Sequence, residues 1–96
     1  MIDRPKFITA TDKALNYFGE QTQIKKLQEE LCELIGALTK YQECGEIAAI
    51  HVAEEFADVY IMTHQIIKSL GIDQDVDLWI DAKIKRLEGI VNAETK

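Results

Sequence analysis

Between Phe56 and Ile67 the only charged residue is Asp58, and apolar side chains recur on nearly every side of the helix this stretch predicts. A helix that is apolar all round has to be buried all round. A chain of 96 residues has little material with which to wrap it, because small domains bury a limited share of their surface. The segment therefore predicts a helical fold in which another subunit covers part of it.

The rest of the sequence agrees with an all-helical reading. The sole proline is Pro5, so no later segment is forced to break. There is no sustained period-two alternation and no Asn-Gly or Asp-Gly hairpin. A first helix is expected from Thr9 to Phe18, ending at Gly19. A second is expected from Gln21 to Gln42, with Thr22 as its candidate cap. Ile24, Leu27, Leu31, Leu34, Ile35 and Leu38 keep one stripe of it at period 3.6. Gly45 marks a break, and a third helix is expected from Glu46 to Leu70, stopping at Gly71. Asp73 or Asp75 is the candidate cap of a fourth, which runs to Asn92. The short link between the second and third helices predicts an antiparallel hairpin. The expected fold is one all-α domain over residues 1–96: a four-helix-bundle-like core with a long antiparallel helical hairpin, completed by oligomerisation.

The net charge of -6 and pI of ≈ 4.8 argue against a partner that is a nucleic-acid polymer or an anionic membrane. A small phosphorylated ligand stays compatible, because a bound divalent cation inverts the local field. Met1 to Lys6 holds no apolar run of the kind a secretory leader needs. The longest apolar stretch carries Glu54, Glu55 and Asp58 and falls short of a membrane span. A cytoplasmic location is expected. Cys32 and Cys44 make no metal-ligand spacing with each other or with His51 and His64, and free thiols are expected.

Two acidic pairs carry the chemistry. Glu30 and Glu33 lie three apart on the second helix, and Glu55 and Asp58 three apart on the third. That spacing places each pair on one helical face. At about 100° per residue, Glu30 falls at the edge of the apolar stripe, in one sector with Gln23, Lys26, Glu33 and Ala37. Glu29 and Glu43 are expected to face water. Four carboxylates facing one another across a hairpin repel strongly. Such a set implies a cation, and all-oxygen ligands point to Mg²⁺ or Mn²⁺. The expected metal ligands are Glu30, Glu33, Glu55 and Asp58, with Glu54 as a possible auxiliary. A structural salt bridge to a lysine or arginine is the main rival explanation of these acids. A di-iron site is disfavoured, because no histidine lies three residues after a glutamate.

At this point the chain resembles a known family. Glu29-Glu30-x-x-Glu33 followed on the next helix by Glu54-Glu55-x-x-Asp58 is similar to the signature of MazG-type nucleoside triphosphate pyrophosphohydrolases, in the all-α NTP pyrophosphatase superfamily. The likeness runs from Tyr17 to Glu88. The segment Gly19 to Leu34, with Gln23 and Lys26 ahead of the acids, also resembles the short stand-alone members. The resemblance implies Mg²⁺ bound by the carboxylates matching Glu30, Glu33, Glu55 and Asp58. It implies cleavage between the α- and β-phosphates of a nucleoside triphosphate, such as a dNTP, giving a monophosphate and pyrophosphate. It also implies a homodimer or homotetramer.

That chemistry suits the residue types. Glu30 or Glu33 is the candidate proton acceptor for the attacking water. Lys26, Lys83 and Arg86 offer cations to the phosphates. The family's Lys-Asn-Arg pattern is broken here, since Leu87 stands where the asparagine would follow Lys83. Trp79, Tyr60 and Tyr41 are candidates for stacking on a base. The nearest rival is phosphoribosyl-ATP pyrophosphohydrolase, which Glu55-Phe56-Ala57-Asp58-Val59-Tyr60 also resembles. A rival of another class is a non-catalytic helical interaction module, in which the acids bind no metal.

Overall fold

The computed structural model describes residues 1–95, and among them it is helical with no strand. α1 (Arg4–Phe18), α2 (Glu20–Cys44), α3 (Ala49–Leu70) and α4 (Asp73–Glu94) follow in order, with a single 3-10 turn at Gly45–Ala48 between α2 and α3. α1 starts well before the expected Thr9. The carboxylate of Asp3 accepts the Lys6 N–H at 3.2 Å, which caps one of the free amides at the helix start. Pro5 sits in the first turn, where a missing N–H costs nothing.

α1 and α2 are joined by Gly19 alone. Its φ of 87° lies where a side chain is penalised, and it lets the chain turn within one residue. The expected cap Thr22 therefore lies inside α2, not at its edge, and α2 has no side-chain cap. Glu20 occupies the first turn instead and accepts a 2.6 Å hydrogen bond from Ser69 Oγ. Gly71 closes α3 in the left-handed conformation, with its own N–H on Lys68 O at 3.1 Å and that of Ile72 on Ile67 O at 3.2 Å. Gly71→Ala is expected to cost about 1–2 kcal/mol, the penalty for a side chain in this region, measurable by urea unfolding. Neither Asp73 nor Asp75 caps α4. The residue before the helix is Ile72, and both aspartates lie in the first turn, where their charge favours the helix dipole.

α2 and α3 form the expected antiparallel hairpin, and α1 packs against both. Phe7 of α1 meets Tyr60 and His64 of α3, with ring centroids 5.7 and 4.9 Å apart. Lys68 binds Asp12 at 2.6 Å. The interior is small and mixed. Leu34, Ala48, Met62 and Ile66 are its buried apolar residues, while Thr11, Gln23, Glu30 and Gln65 are buried beside them although polar.

The bundle does not close within one chain. α4 has no buried residue, and its Leu78, Trp79, Ile80, Ile84, Leu87, Ile90 and Val91 are exposed. The radius of gyration is 16.5 Å, against about 12–13 Å for a compact chain of this length. The stripe on α2 is covered only in part: Leu34 is buried, but Ile35 remains 65% exposed, and Phe56 and Ile61 of α3 are exposed too. No helix among the described residues is long and apolar enough to cross a membrane. Cys32 and Cys44 are free and exposed.

Candidate metal centre

The hairpin register brings the acidic pairs together. Gln23 on α2 bonds Gln65 on α3 at 2.8 Å. Further along the same antiparallel ladder Glu30 faces Asp58, and Glu33 faces Glu55. One oxygen from each of Glu30, Glu55 and Asp58 falls within 4.8 Å of the others. Glu30 is 4% exposed, whereas Glu55 and Asp58 are half-buried. Glu33 is exposed and stands outside that triad, yet its carboxyl is near enough to Glu55 to share a hydrogen bond with it.

The electrostatics are those of a crowded anionic site. Glu55 holds its proton above the ordinary carboxylate range, first because burial penalises its charge and then because Glu33, Glu30 and Asp58 repel it. Asp58 is raised as well, by burial and then by the charge of Glu30, with Lys26 opposing. Among the described residues Lys26 is the one cation paired with this cluster, with Nζ 3.2 Å from Glu30 Oε1 and 3.9 Å from Glu29. Its hydrogen bond to Glu30, and then the charge of Glu30, raise its pKa. Among the described residues two carboxylate oxygens stay unanswered: Glu30 Oε2 and Glu55 Oε2 are sealed from solvent with no hydrogen-bond partner. A buried anionic oxygen without a donor is costly.

The remaining candidates are placed less centrally. Lys83 lies over the ring of its neighbour Trp79, 5.7 Å from the centroid. Lys83, Trp79 and Arg86 are all exposed on α4, away from any packed helix. Tyr60 is two residues from Asp58, which puts it on the opposite side of α3. Its hydroxyl accepts from Arg4 at 3.2 Å and its ring meets Phe7, so it ties α1 to α3 and does not face the acids. Tyr41 and Glu54 are exposed, and Glu54 is not a member of the triad. His64 packs edge-on to Phe7, and neither it nor His51 joins the acids.

Sequence reasoning passed over the Gln23–Gln65 pair. A signal was present, since Gln23 shares a sector with Lys26 and Glu30, and Gln65 lies two turns beyond Asp58 on one face of α3. No protein-family model, curated protein or solved structure matches this chain.

Proposed function

We propose that the protein hydrolyses a nucleoside triphosphate, with dNTPs as the first choice, to the monophosphate and pyrophosphate, using Mg²⁺ or Mn²⁺ held by Glu30, Glu33, Glu55 and Asp58. The observation that carries this reading is that Glu30 and Glu55, two members of one cluster of acids, each hold a sealed oxygen with no hydrogen-bond partner among the described residues. A structural salt bridge accounts for less. Lys26 engages one oxygen of Glu30, while Glu55 and Asp58 form no ion pair among the described residues.

The donors fit a hard cation. They are all carboxylates, the ligands that Mg²⁺ and Mn²⁺ prefer. Mg–O distances of about 2.0–2.1 Å require donor oxygens about 3–4 Å apart, so the three oxygens within 4.8 Å need close only slightly. A divalent cation there would neutralise the carboxylates and screen the phosphate oxygens from an attacking nucleophile.

The protein residues have distinct tasks under this reading. Glu33 is exposed beside Glu55; with one oxygen on the cation, its other would accept a proton from the attacking water. Glu30 is less suited to that role, because Lys26 already occupies its Oε1. Lys26, half exposed at the mouth of the site, offers charge to the phosphates. Lys83 and Arg86 reach a phosphate only if α4 docks on something. A homodimer or homotetramer supplies it, since the bare apolar faces of α2, α3 and α4 call for a neighbouring subunit. Each partner in a stable pair buries about 800 Å². Light scattering is expected to give a dimer or tetramer, and a monomer at high micromolar concentration would remove this part of the proposal.

The direct test supplies canonical and modified (d)NTPs with Mg²⁺ and measures pyrophosphate and monophosphate together, with phosphoribosyl-ATP as a comparison. Equal amounts of the two products from a dNTP are expected. Orthophosphate without pyrophosphate, or no turnover of any triphosphate, would refute the reading.

A further inference from the structure

Beside the acids lies a cleft of ≈ 520 Å³ between α1, α2 and α3, with Ala14, Phe18, Gln23, Lys26, Met62 and Gln65 on its walls. That volume is in the range of small-molecule pockets. We propose that this cleft is a nucleobase site, in which the base lies against Phe18 and donates an N–H to Gln23 Oε1. This rests on the pyrophosphohydrolase reading for the identity of the ligand.

The polarity of Gln23 is set by a chain of hydrogen bonds. Gln65 Nε2 donates to Ile61 O at 3.4 Å and to Met62 Sδ at 3.7 Å. Turning that amide over would press its oxygen against the Ile61 carbonyl, so Gln65 Oε1 faces Gln23. Gln23 must then present its Nε2 to it, as the 2.8 Å bond records. Gln23 Oε1 is left over. It accepts no bond among the described residues, and it is not among the atoms sealed from solvent. Gln23 is 5% exposed and Gln65 3%, so this acceptor is held rigidly on the cleft wall. A ligand that fits must therefore bring a donor.

The rest of the cleft suits a flat heteroaromatic ring. Phe18 is partly exposed, and its ring is braced edge-on by Tyr17 at 4.9 Å. Met62 is a buried, polarisable neighbour. Lys26 lines the cleft and also holds Glu30. A base in the cleft thus directs its phosphates past Lys26 toward the acids. The edges of all the common bases carry an N–H, so the acceptor favours a base over an apolar ligand without choosing one base.

The test is calorimetric binding of the common deoxynucleoside monophosphates in millimolar Mg²⁺, which needs no turnover. Phe18→Ala, at an exposed position, is expected to weaken binding by about tenfold or more, the usual effect of losing one stacking surface. Analogues with the donor masked, N3-methylthymidine and N4,N4-dimethyldeoxycytidine monophosphates, are expected to bind wild type at least several-fold more weakly than their parents. Gln23→Leu is expected to remove that difference. Circular dichroism checks that it folds, and the Phe18→Ala and analogue arms stand without it. Unchanged affinity in Phe18→Ala together with equal binding of masked and parent nucleotides would overturn the base site, as would no nucleotide binding at all. Base-dependent binding with no triphosphate hydrolysis would leave the cleft standing and remove the pyrophosphohydrolase reading. Hydrolysis at rates that neither the base nor Phe18→Ala alters would do the reverse.

Discussion

Glu55→Gln and Asp58→Asn are each expected to abolish pyrophosphate release while leaving the helices intact. Each substitution keeps side-chain volume and removes one anionic ligand. If the cation contributes several kcal/mol to the transition state, losing its grip costs about a hundredfold or more in rate. The fold has no reason to suffer. Both groups are half-buried acids already penalised by burial and by neighbouring carboxylates, so the neutral amides relieve repulsion. The metal-free variants are expected to melt at or above the temperature of the metal-free wild type. Glu54→Gln is the matched control, because Glu54 is exposed and outside the triad, and its activity is expected to stay near wild type. Activity within a few-fold of wild type for both Glu55→Gln and Asp58→Asn would take these carboxylates out of the mechanism.

The hairpin and its acids were legible because both depend on local rules. Period-3.6 stripes and glycine breaks set α2 and α3, and a spacing of three put each acidic pair on one face. An antiparallel register then had little choice but to bring Glu30 to Asp58 and Glu33 to Glu55. The start of α1 was missed because Asp3 and Pro5 act together as a cap and a first turn, ahead of any apolar periodicity. The cap at Thr22 was misplaced because Gly19 turns the chain so sharply that α2 begins at once. Tyr60 was read by its aromatic character, but residue type does not say which side of a helix is already spoken for; here α1 occupies it through Phe7 and Arg4. The exposed apolar residues of α4 lay beyond the sequence reading, which set that helix's limits without asking which face is covered. The Gln23–Gln65 relay needed three dimensions, because its direction is fixed by the Ile61 carbonyl.

The metal-free protein is expected to lose stability as pH rises above the ordinary carboxylate range, and Mg²⁺ is expected to restore it. Glu55 and Asp58 hold their protons more tightly folded than unfolded. Between the ordinary value and the raised one the folded chain binds more protons, so stability falls through that window as pH increases. Below it both states are protonated and the penalty vanishes. Lys26 does not confuse the trend. Its raised pKa adds stability that is fully present below the ordinary lysine value and is lost only at higher, alkaline pH. Glu55→Gln removes a principal group of the window and is expected to flatten the profile, which separates this effect from the general relief of net charge on acidification. Above the window the same carboxylates are ionised and ready for a cation. At a hundred times its dissociation constant a ligand adds about 2.7 kcal/mol, and a domain this small gains about 4–8 °C per kcal/mol. Millimolar Mg²⁺ or Mn²⁺ is thus expected to raise the melting temperature at pH 7.5–8 by on the order of 10 °C, and by much less near pH 5, where protons compete with the metal. Melting curves that ignore both metal and pH, in wild type and Glu55→Gln alike, would reduce the four acids to a solvated patch.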